Sequence, residues 1–296
     1  MTLGITGNPT KDALWPALGD LIPWLAGRAD VCLDDTLAAG LAERGLGGAA
    51  CHSASVADLS RTSDVMLSFG GDGSLLRTAH AAADGDASTP ILGVNLGRLG
   101  FLTKVEVSEL HAVLERVIEG AFSVERRMVL DVITEGLDLD DIGLPQWALN
   151  DVVVDKSGTT SMISIEAEAG GEPLNTYWAD GLILATPTGS TAYALSVGGP
   201  IVAPGSEVVV VAPIAPHTLT ARPIVLPCSA ELVLRVSTRG HPYAFAVDGV
   251  SAIVETDGVT IRVRRSEHTV PLVAMPDRDY FTTIRQKLSW GAGSVF

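Results

Sequence analysis

The residues best suited to chemistry are concentrated in two short turns of this chain. The first, Gly70-Gly71-Asp72-Gly73, follows a buried apolar run and opens a helical pattern. The second runs from Thr186 to Tyr193 and carries four hydroxyl groups besides that of Tyr193. Small donors and exposed backbone N–H groups at a helix N-terminus suit an anion or a ribose. Together the turns predict a nucleotide site with one central carboxylate, Asp72.

The glycine turn predicts a phosphate site. Its glycines allow close backbone approach and positive φ, and the dipole of the predicted helix 74–83 favours phosphate nearby. We expect Ser74 to cap that helix and Arg77, one helical turn beyond Gly73, to face the same phosphates. The alternative is an ordinary strand-to-helix turn with a solvated Arg77, because Asp-Gly also occurs at 248–249 and 257–258.

Two other acidic positions have ligand-binding chemistry. An amide beside a carboxylate, as in Asn150-Asp151, suits bidentate recognition of vicinal ribose hydroxyls or of an amino group on a base. Asp180 opens an apolar strand just after Tyr177 and Trp178. The alternatives are a surface turn for the pair and a loop cap for Asp180. His217, in a Pro-rich turn, is interpreted as structural.

Composition excludes several classes of function. The net charge of −15 argues against nucleic-acid binding, so phosphate binding must rely on glycine-turn amides, a few placed Arg or Lys, and Mg²⁺. The longest apolar runs are too short to span a bilayer, and no signal-peptide pattern is present. The three cysteines lack metal or redox spacing, which favours free thiols in the cytoplasm (Cys32, Cys51 and Cys228). Neither a Walker lysine motif nor G-x-G-x-x-G occurs.

The pattern of elements predicts two domains. Residues 1–125 alternate apolar strands with helices, which predicts an α/β domain with a parallel sheet and a ligand site beyond its carboxyl ends, where Asp72 lies. Residues 126–276 predict short strands only, many of them alternating in polarity, and hence an all-β domain. Asp257-Gly258, between two such runs, predicts a hairpin. Residues 277–296 return to a helical pattern that we expect to pack on the first domain.

These segments together resemble the NAD kinase family. The glycine-aspartate turn alone is shared with lipid kinases and phosphofructokinases, whereas the block Thr186–Ser196 is much more specific. The resemblance extends from the first predicted strand to the last helix, and it is carried by the runs 70–73, 95–103, 150–151, 180–200, 216–219, 222–225 and 287–291.

The resemblance implies an α/β domain, a β-sandwich domain, and NAD bound between them. The implied reaction transfers the γ-phosphoryl group of ATP, or a phosphoryl group of polyphosphate, to the 2′-hydroxyl of the adenosine ribose, with Mg²⁺ or another divalent cation. Asp72 matches the family's general base, and Gly70, Gly71, Gly73 and Ser74 are assigned to the phosphate donor. The positions assigned to NAD are Asp72, Gly73, Arg77, Phe101, Asn150, Asp151, Asp180, Thr191, Ala192, Tyr193 and Ser196. No residue is assigned to the metal directly.

The resemblance further implies a homodimer or homotetramer in the cytoplasm, without membrane or nucleic-acid partners. Two positions depart from the family pattern: Asp151 stands where Glu is more frequent, and Trp178 stands where many members have a basic residue. Two other functions stay open, a lipid kinase that uses the same glycine-aspartate motif and a non-catalytic regulator that binds NAD or NADP. The donor also stays open between ATP, other triphosphates and polyphosphate.

Overall fold

A computed structural model describes residues 1–46, 52–86, 88–158, 161–276 and 279–290. Cys51 and parts of the predicted C-terminal segment, residues 277, 278 and 291–296, lie outside these ranges. The chain divides into two compact units. Unit 1 comprises Met1–Arg126 and Val270–Phe296, and unit 2 comprises Arg127–Thr269.

Unit 1 contains a parallel sheet in the order β3-β2-β1-β4-β5, with β6 also parallel to β5. Its central strands β4 and β5 are buried along their whole length, as in sheets covered on both faces. The strands are β1 (Thr2–Gly7), β2 (Asp30–Asp34), β3 (His52–Ala54), β4 (Val65–Gly70), β5 (Ile91–Asn95) and β6 (Val105–Glu106).

The helices of unit 1 pack apolar faces on this sheet. In the first helix Leu14, Leu18, Leu21 and Leu25 follow helical spacing, and each has no exposed surface. They join strand residues such as Leu67 in one core. The helices before residue 120 are α1 (Leu14–Leu25), α2 (Asp35–Glu43), α3 (Val56–Thr62), α4 (Asp72–Ala83) and α5 (Leu110–Ile118), with a 3₁₀ turn at Val107–Glu109.

Unit 2 is a sandwich of antiparallel strands. One core contains Ile165 and Leu234 from the first sheet and Val154 and Phe245 from the second. The elements are β7 (Ser123–Glu135), which begins in unit 1, β8 (Trp147–Ala148), β9 (Asp151–Lys156), β10 (Ile163–Ala169), β11 (Glu172–Ala179), β12 (Gly181–Ala185), α6 (Tyr193–Ser196), β13 (Val208–Ile214), β14 (Ile224–Pro227), β15 (Leu232–Ser237), β16 (Tyr243–Val247), β17 (Val250–Val254) and β18 (Thr260–Ala274).

The first sheet of unit 2 has the order β11-β10-β15-β18, and the second has the order β14-β13-β12-β9-β16-β17. The predicted hairpin at Asp257-Gly258 is wrong, because β17 and β18 on either side belong to different sheets. The hairpin lies instead at Asp248-Gly249, where Val247 pairs with Val250. Both turn residues have positive φ, +50° and +79°, as a two-residue type I′ turn requires.

The last elements belong partly or wholly to unit 1. β18 pairs with β15 of unit 2 through its first residues, and its Leu272 pairs in parallel with Ile91 of β5. Helix α7 (Tyr280–Leu288) follows, and its N-cap Asp279 accepts a hydrogen bond from Thr282 N. The predicted fold class, an α/β N-terminal part with a parallel sheet and an all-β sandwich, is confirmed. Among the described residues, no helix combines the length and apolar character needed to cross a membrane.

Candidate nucleotide and phosphate-transfer site

The glycine turn joins β4 to α4 in unit 1. Gly70 has a φ of +154°, and a Cβ there would lie 2.1 Å from Ser74 Oγ, so only glycine fits. The helix begins at Asp72, with Gly71 as an N-cap that makes no side-chain bond. The expectation that Ser74 caps the helix is therefore wrong. Ser74 lies buried inside the first turn, because the helix starts two residues earlier than the apolar pattern suggests.

Asp72 holds the segment that follows β5. Its Oδ1 accepts hydrogen bonds from Leu102 N, Thr103 N and Thr103 Oγ1, each at 3.0 Å. Its Oδ2 accepts one from Phe101 N at 2.8 Å. Since each carboxylate oxygen has two lone pairs, Oδ1 is fully engaged, and in the described part of the chain Oδ2 keeps one lone pair for another donor. Asp72 is thus a clamp with one remaining acceptor position.

The other predicted residues of unit 1 lie at the start of α4. Gly73 is exposed, and a Cβ added to it would meet no atom within 4 Å. Arg77 is exposed, and its Nη2 donates to Ser74 Oγ at 3.2 Å. The buried Ser74 hydroxyl therefore helps to orient the Arg77 guanidinium. Gly73, Arg77 and the Asp72 carboxylate share the first two turns of one helix.

In unit 2 the pair Asn150-Asp151 is held by a second carboxylate clamp. Asp248 accepts hydrogen bonds from Leu149 N at 2.8 Å, from Asn150 N at 2.6 Å and from Asp151 N at 3.2 Å. From its sequence, Asp248-Gly249 was interpreted only as an example of a common turn. The available signal was the apolar run 243–247, in which large and small side chains alternate, followed by Asp-Gly. This is a hairpin pattern that places Asp248 at the end of a strand.

The hydroxyl-rich turn is largely satisfied by its own fold. Thr186 Oγ1 donates to Leu149 O at 2.5 Å and accepts from Gly189 N at 3.0 Å. Ser190 Oγ donates to Pro187 O and accepts from Val202 N. The expectation that this turn offers four donors to a ligand is wrong for Thr186 and Ser190. Both side chains have no exposed surface, because the turn must close against Leu149 and Val202.

Glycine is needed where this turn meets the Asn150 backbone. A Cβ on Gly189 would lie 2.0 Å from Asn150 O, and Thr186 N donates to the same oxygen at 2.9 Å. A 3₁₀ turn at Gly189–Thr191 leads into α6. Thr191 and Ala192 are half-buried, whereas Tyr193 and Ser196 are exposed. The turn therefore leaves these four predicted residues accessible to a ligand to different degrees.

Carboxylates gather around Tyr193. The pKa of Tyr193 is raised, first by burial and then by the negative charges of Asp155, Asp180 and Asp151. Asp180 forms an ion pair with Lys156 at 2.7 Å. Burial, followed by the charge of Asp180, also raises the pKa of Asp155. The structure thus brings together Asp151, Asp180 and Tyr193, and it adds Asp155 and Lys156, which were not predicted.

Asp151 is the most perturbed of these carboxyl groups. Burial, followed by the charge of Asp248, raises its pKa to about 7, although the Tyr193 N–H donates a hydrogen bond to it. A buried carboxyl group that is protonated near neutral pH can donate as well as accept a hydrogen bond. The side chain is 6% exposed, so its exchange with solvent is restricted.

Replacing Asp151 by Asn is expected to flatten the dependence of stability on pH. The folded-state pKa is raised from 3.8 to about 7. Between these values the unfolded chain releases a proton that the folded chain keeps, so the free energy of unfolding falls as pH rises. Asn does not titrate. Between about pH 4 and pH 7, the free energy of unfolding of the variant should therefore rise by a few kcal/mol relative to that of wild type, at ~1.4 kcal/mol per pKa unit.

Urea denaturation at about pH 5 and pH 8 measures this difference. The exposed Asp141 provides the control variant Asp141→Asn, for which we expect a curve parallel to that of wild type. Parallel curves for Asp151→Asn and wild type would contradict the assigned titration.

The remaining aromatic position, Trp178, already has a cation on one face. The Arg239 guanidinium carbon lies 5.6 Å from the ring centroid, and the side chain is 45% exposed. His217 N donates to Trp178 O at 2.8 Å. Arg239 thus covers one face of the Trp178 ring and leaves the other face free of its guanidinium.

Family models match both parts of the chain. The ATP-NAD kinase N-terminal domain matches residues 50–122, and the ATP-NAD kinase C-terminal domain matches residues 149–275. An NAD kinase of Geobacter metallireducens is 42% identical over 92% of this chain and 93% of its own length. An NAD kinase of Flavobacterium psychrophilum is 34% identical over 98% of both chains.

Two solved structures with the same fold are an NADH kinase and an NAD kinase. Yeast NADH kinase complexed with NADH has a TM-score of 0.87 and 25% identity, covering 99% of this chain and 89% of its own. An NAD kinase of Archaeoglobus fulgidus in complex with ATP has a TM-score of 0.72 and 25% identity, covering 98% and 99%. With two family models spanning most of the sequence and relatives aligned over nearly all of it, the chain belongs to the NAD kinase family.

Proposed function

We propose that the chain transfers the γ-phosphoryl group of ATP to the 2′-hydroxyl of the adenosine ribose of NAD and so produces NADP. The observation that best supports this assignment is the Asp72 carboxylate, which stands at the N-terminus of α4 with one lone pair of Oδ2 available. NAD phosphorylation is the activity of the family. The position of the accepting hydroxyl and the roles of individual residues are the proposed parts.

In the proposed mechanism, Asp72 is the general base. A bond forms between the 2′-oxygen of NAD and the γ-phosphorus, while the bond from that phosphorus to the β,γ-bridging oxygen breaks and ADP leaves. The proton of the 2′-hydroxyl passes to Asp72 Oδ2 late in the transfer, as in other kinases. Because Oδ1 is engaged by three donors, the carboxylate is fixed in orientation, which favours in-line positioning.

The phosphate donor is assigned to the start of α4. The first N–H groups of a helix have no intrahelical partner and attract phosphate, which supports roles for Gly70, Gly71 and Gly73. Ser74 acts through the hydrogen bond that it accepts from Arg77. Polyphosphate has the same phosphoryl chemistry and is the alternative donor.

The residues at the start of α4 suit a divalent cation that enters together with ATP. Mg²⁺ usually binds substrate phosphates with one or two carboxylates and several waters. The described residues contain no group of three or more His, Cys, Asp or Glu that could hold an ion without the substrate. When bound, Mg²⁺ neutralises charge on the transferred phosphoryl group.

We assign NAD recognition to the residues that the family resemblance implies. In unit 2, the carboxyl groups and the Asn150 amide can hydrogen-bond ribose hydroxyls or an amino group, and the exposed Tyr193 can stack on a ring. We also propose, from the family resemblance, a cytoplasmic homodimer or homotetramer. The residues assigned to NAD are Asp72, Gly73, Arg77, Phe101, Asn150, Asp151, Asp180, Thr191, Ala192, Tyr193 and Ser196.

The test is a coupled assay of the purified chain with NAD, ATP and Mg²⁺. NADP should accumulate and be detected by a strictly NADP-dependent dehydrogenase. Parallel reactions with polyphosphate, with NADH and with diacylglycerol identify the donor and the acceptor. Binding of NAD without any turnover would favour the non-catalytic regulator, and phosphorylation of the lipid alone would favour a lipid kinase. The curated relatives, which are named NAD kinases, favour neither alternative.

Replacing Gly100 by Ala is expected to lower NAD kinase activity at least about tenfold. A Cβ at Gly100 would lie 1.9 Å from Asp72 Oδ1 and 2.3 Å from Thr103 Oγ1. The segment must then move away from Asp72 and lose part of the clamp, and a misplacement of about 1 Å in a catalytic site can cost up to ~10²-fold. The matched control is Gly97→Ala, since a Cβ at Gly97 meets no atom within 4 Å. Equal activity of the two variants would contradict the clamp.

A further inference from the structure

A side chain of the C-terminal helix α7 contacts Phe101, in the clamped segment 101–103. The Lys287 ammonium lies 4.5 Å from the centroid of the Phe101 ring, within the range of a cation–π interaction. Phe101 N donates to Asp72 Oδ2. Lys287 is exposed, and nothing in the proposed reaction uses it. Two described contacts thus connect α7 to the Asp72 carboxylate: the ring contact of Lys287 and the hydrogen bond from Phe101 N.

The rest of α7 leaves space on this side of the segment. A cavity of about 300 Å³ is lined in part by Leu99 and Lys104, on either side of the clamped segment, and by Thr282, Thr283 and Gln286 of α7. The helix therefore does not pack continuously against residues 99–104. Under these conditions a single contact such as that of Lys287 has more influence on ring orientation than it would in a close-packed core.

The end of α7 is shaped to present Lys287. The helix ends at Leu288, and Ser289 adopts a left-handed conformation with φ +54°. Both Ser289 N and Trp290 N donate to Arg285 O, so the last turn around Lys287 is closed by two hydrogen bonds. A lysine in this turn is also favoured by the helix dipole.

We infer that Lys287 is a positioning residue for NAD: its ammonium holds the Phe101 ring in the orientation that binds the substrate. This inference rests on the proposed role of Phe101 in NAD binding. The Asp72 clamp fixes the Phe101 backbone but not its side-chain torsions. The ammonium occupies one face of the ring and leaves the other to the ligand. Loss of the charge frees the ring and weakens binding of NAD without removing the general base.

The first test compares kinetic constants of Lys287→Met with those of wild type. We expect KM for NAD to rise about two- to fivefold, the range of an exposed cation–π contact, with kcat and KM for ATP unchanged. Lys287→Arg should restore the wild-type value because a guanidinium also stacks on aromatic rings. The control Arg285→Met removes a charge from the same helix and should have no effect, because the Arg285 guanidinium donates to Thr282 Oγ1.

A double-mutant cycle tests the route of this effect. In a Phe101→Leu background, Lys287→Met should no longer change KM for NAD, because the ring that it acts on is gone. An unchanged KM for NAD in Lys287→Met, an equal effect of Arg285→Met, or a full effect in the Phe101→Leu background would each overturn the inference. A change confined to KM for ATP would also overturn it, since it would assign Lys287 to the donor.

A spectroscopic readout separates this inference from the proposed function. In ¹H–¹⁵N spectra of the free protein, the amide signals of Phe101, Leu102 and Thr103 should shift in Lys287→Met and stay in place in Arg285→Met. Absence of NAD kinase activity in wild type would refute the proposed function whatever the spectra show. Unshifted amides in an active enzyme would refute the role of Lys287 alone.

Discussion

Asp72→Asn lowers kcat for NAD phosphorylation by at least about 100-fold, the scale of general acid–base catalysis, and it also raises KM for NAD. The first effect follows from loss of the proton acceptor. The second follows from the clamp, because the amide oxygen of Asn can replace Oδ1 but its NH₂ group then faces the Phe101 N–H, a donor that Oδ2 accepts at 2.8 Å in wild type. A donor left unsatisfied costs ~1–3 kcal/mol, so Phe101 is displaced.

Steady-state kinetics with varied NAD and varied ATP separate the two effects. Asp84→Asn is the matched control, since it removes an exposed carboxylate at the other end of the same helix. It should leave both constants unchanged. A variant Asp72→Asn with wild-type kcat would refute the general base, and one with reduced kcat but wild-type KM for NAD would refute the coupling to Phe101.

Asp248→Ala reduces kcat/KM for NAD on the order of 100-fold or more. The carboxylate accepts from three consecutive backbone N–H groups, those of Leu149, Asn150 and Asp151. The three unsatisfied donors displace residues 149–151, and restoring their native position to bind NAD costs about 3 kcal/mol even at the low end of ~1 kcal/mol for each donor. This cost corresponds to two powers of ten. The loss should appear in binding of NAD, because Asn150 and Asp151 lose their fixed positions while Asp72 is untouched.

A second Asp-Gly turn of unit 2 provides the control. Asp257 also accepts backbone hydrogen bonds, from Thr238 N at 2.8 Å and from Gly258 N at 3.1 Å, but none from residues 149–151. Asp257→Ala should lower the free energy of unfolding while KM for NAD stays near wild type. Asp248→Asn, which tolerates the left-handed conformation of residue 248, should fall between Asp248→Ala and wild type. Equal KM values for the two alanine variants would show that Asp248 has no special role.

The sequence predicted the fold class because periodicity is a local property. The continuous apolar run Val65–Phe69 is found as a buried parallel strand, and the alternating run Ile163–Ala169 is found as an antiparallel strand. Pairing is not local, and there the prediction failed. Asp257-Gly258 has the composition of a hairpin turn, yet the next strand, β18, joins the other sheet. The edge strand β17 (Val250–Val254) was not predicted although four of its five residues are apolar, so the turn at Asp248 was missed too.

In the candidate site, too, local sequence predicts which residue types are present but not which residues they contact. Asp72, Asn150, Asp151 and Tyr193 were selected by type and by neighbours in the chain, and their functional roles stay predictions. The partners of these side chains come from distant segments, as with Asp248 and Asn150 or Lys287 and Phe101, and no local pattern identifies them. The hydroxyls of Thr186 and Ser190 were overinterpreted for the converse reason, because the acceptors that bury them are backbone carbonyls, which carry no sequence signal.

Unit 1 is formed by two separate parts of the chain, and this affects the order in which the two units fold during synthesis. Val273 and Met275 belong to its core, and Leu272 pairs with Ile91 of β5. A ribosome releases these residues only after all of unit 2, which is contiguous from Arg127 to Thr269, has been made. Domains fold as units when their residues become available. Unit 2 can therefore reach its native state first, while Ile91 of β5 in the nascent unit 1 lacks its strand partner Leu272 until that residue has been translated.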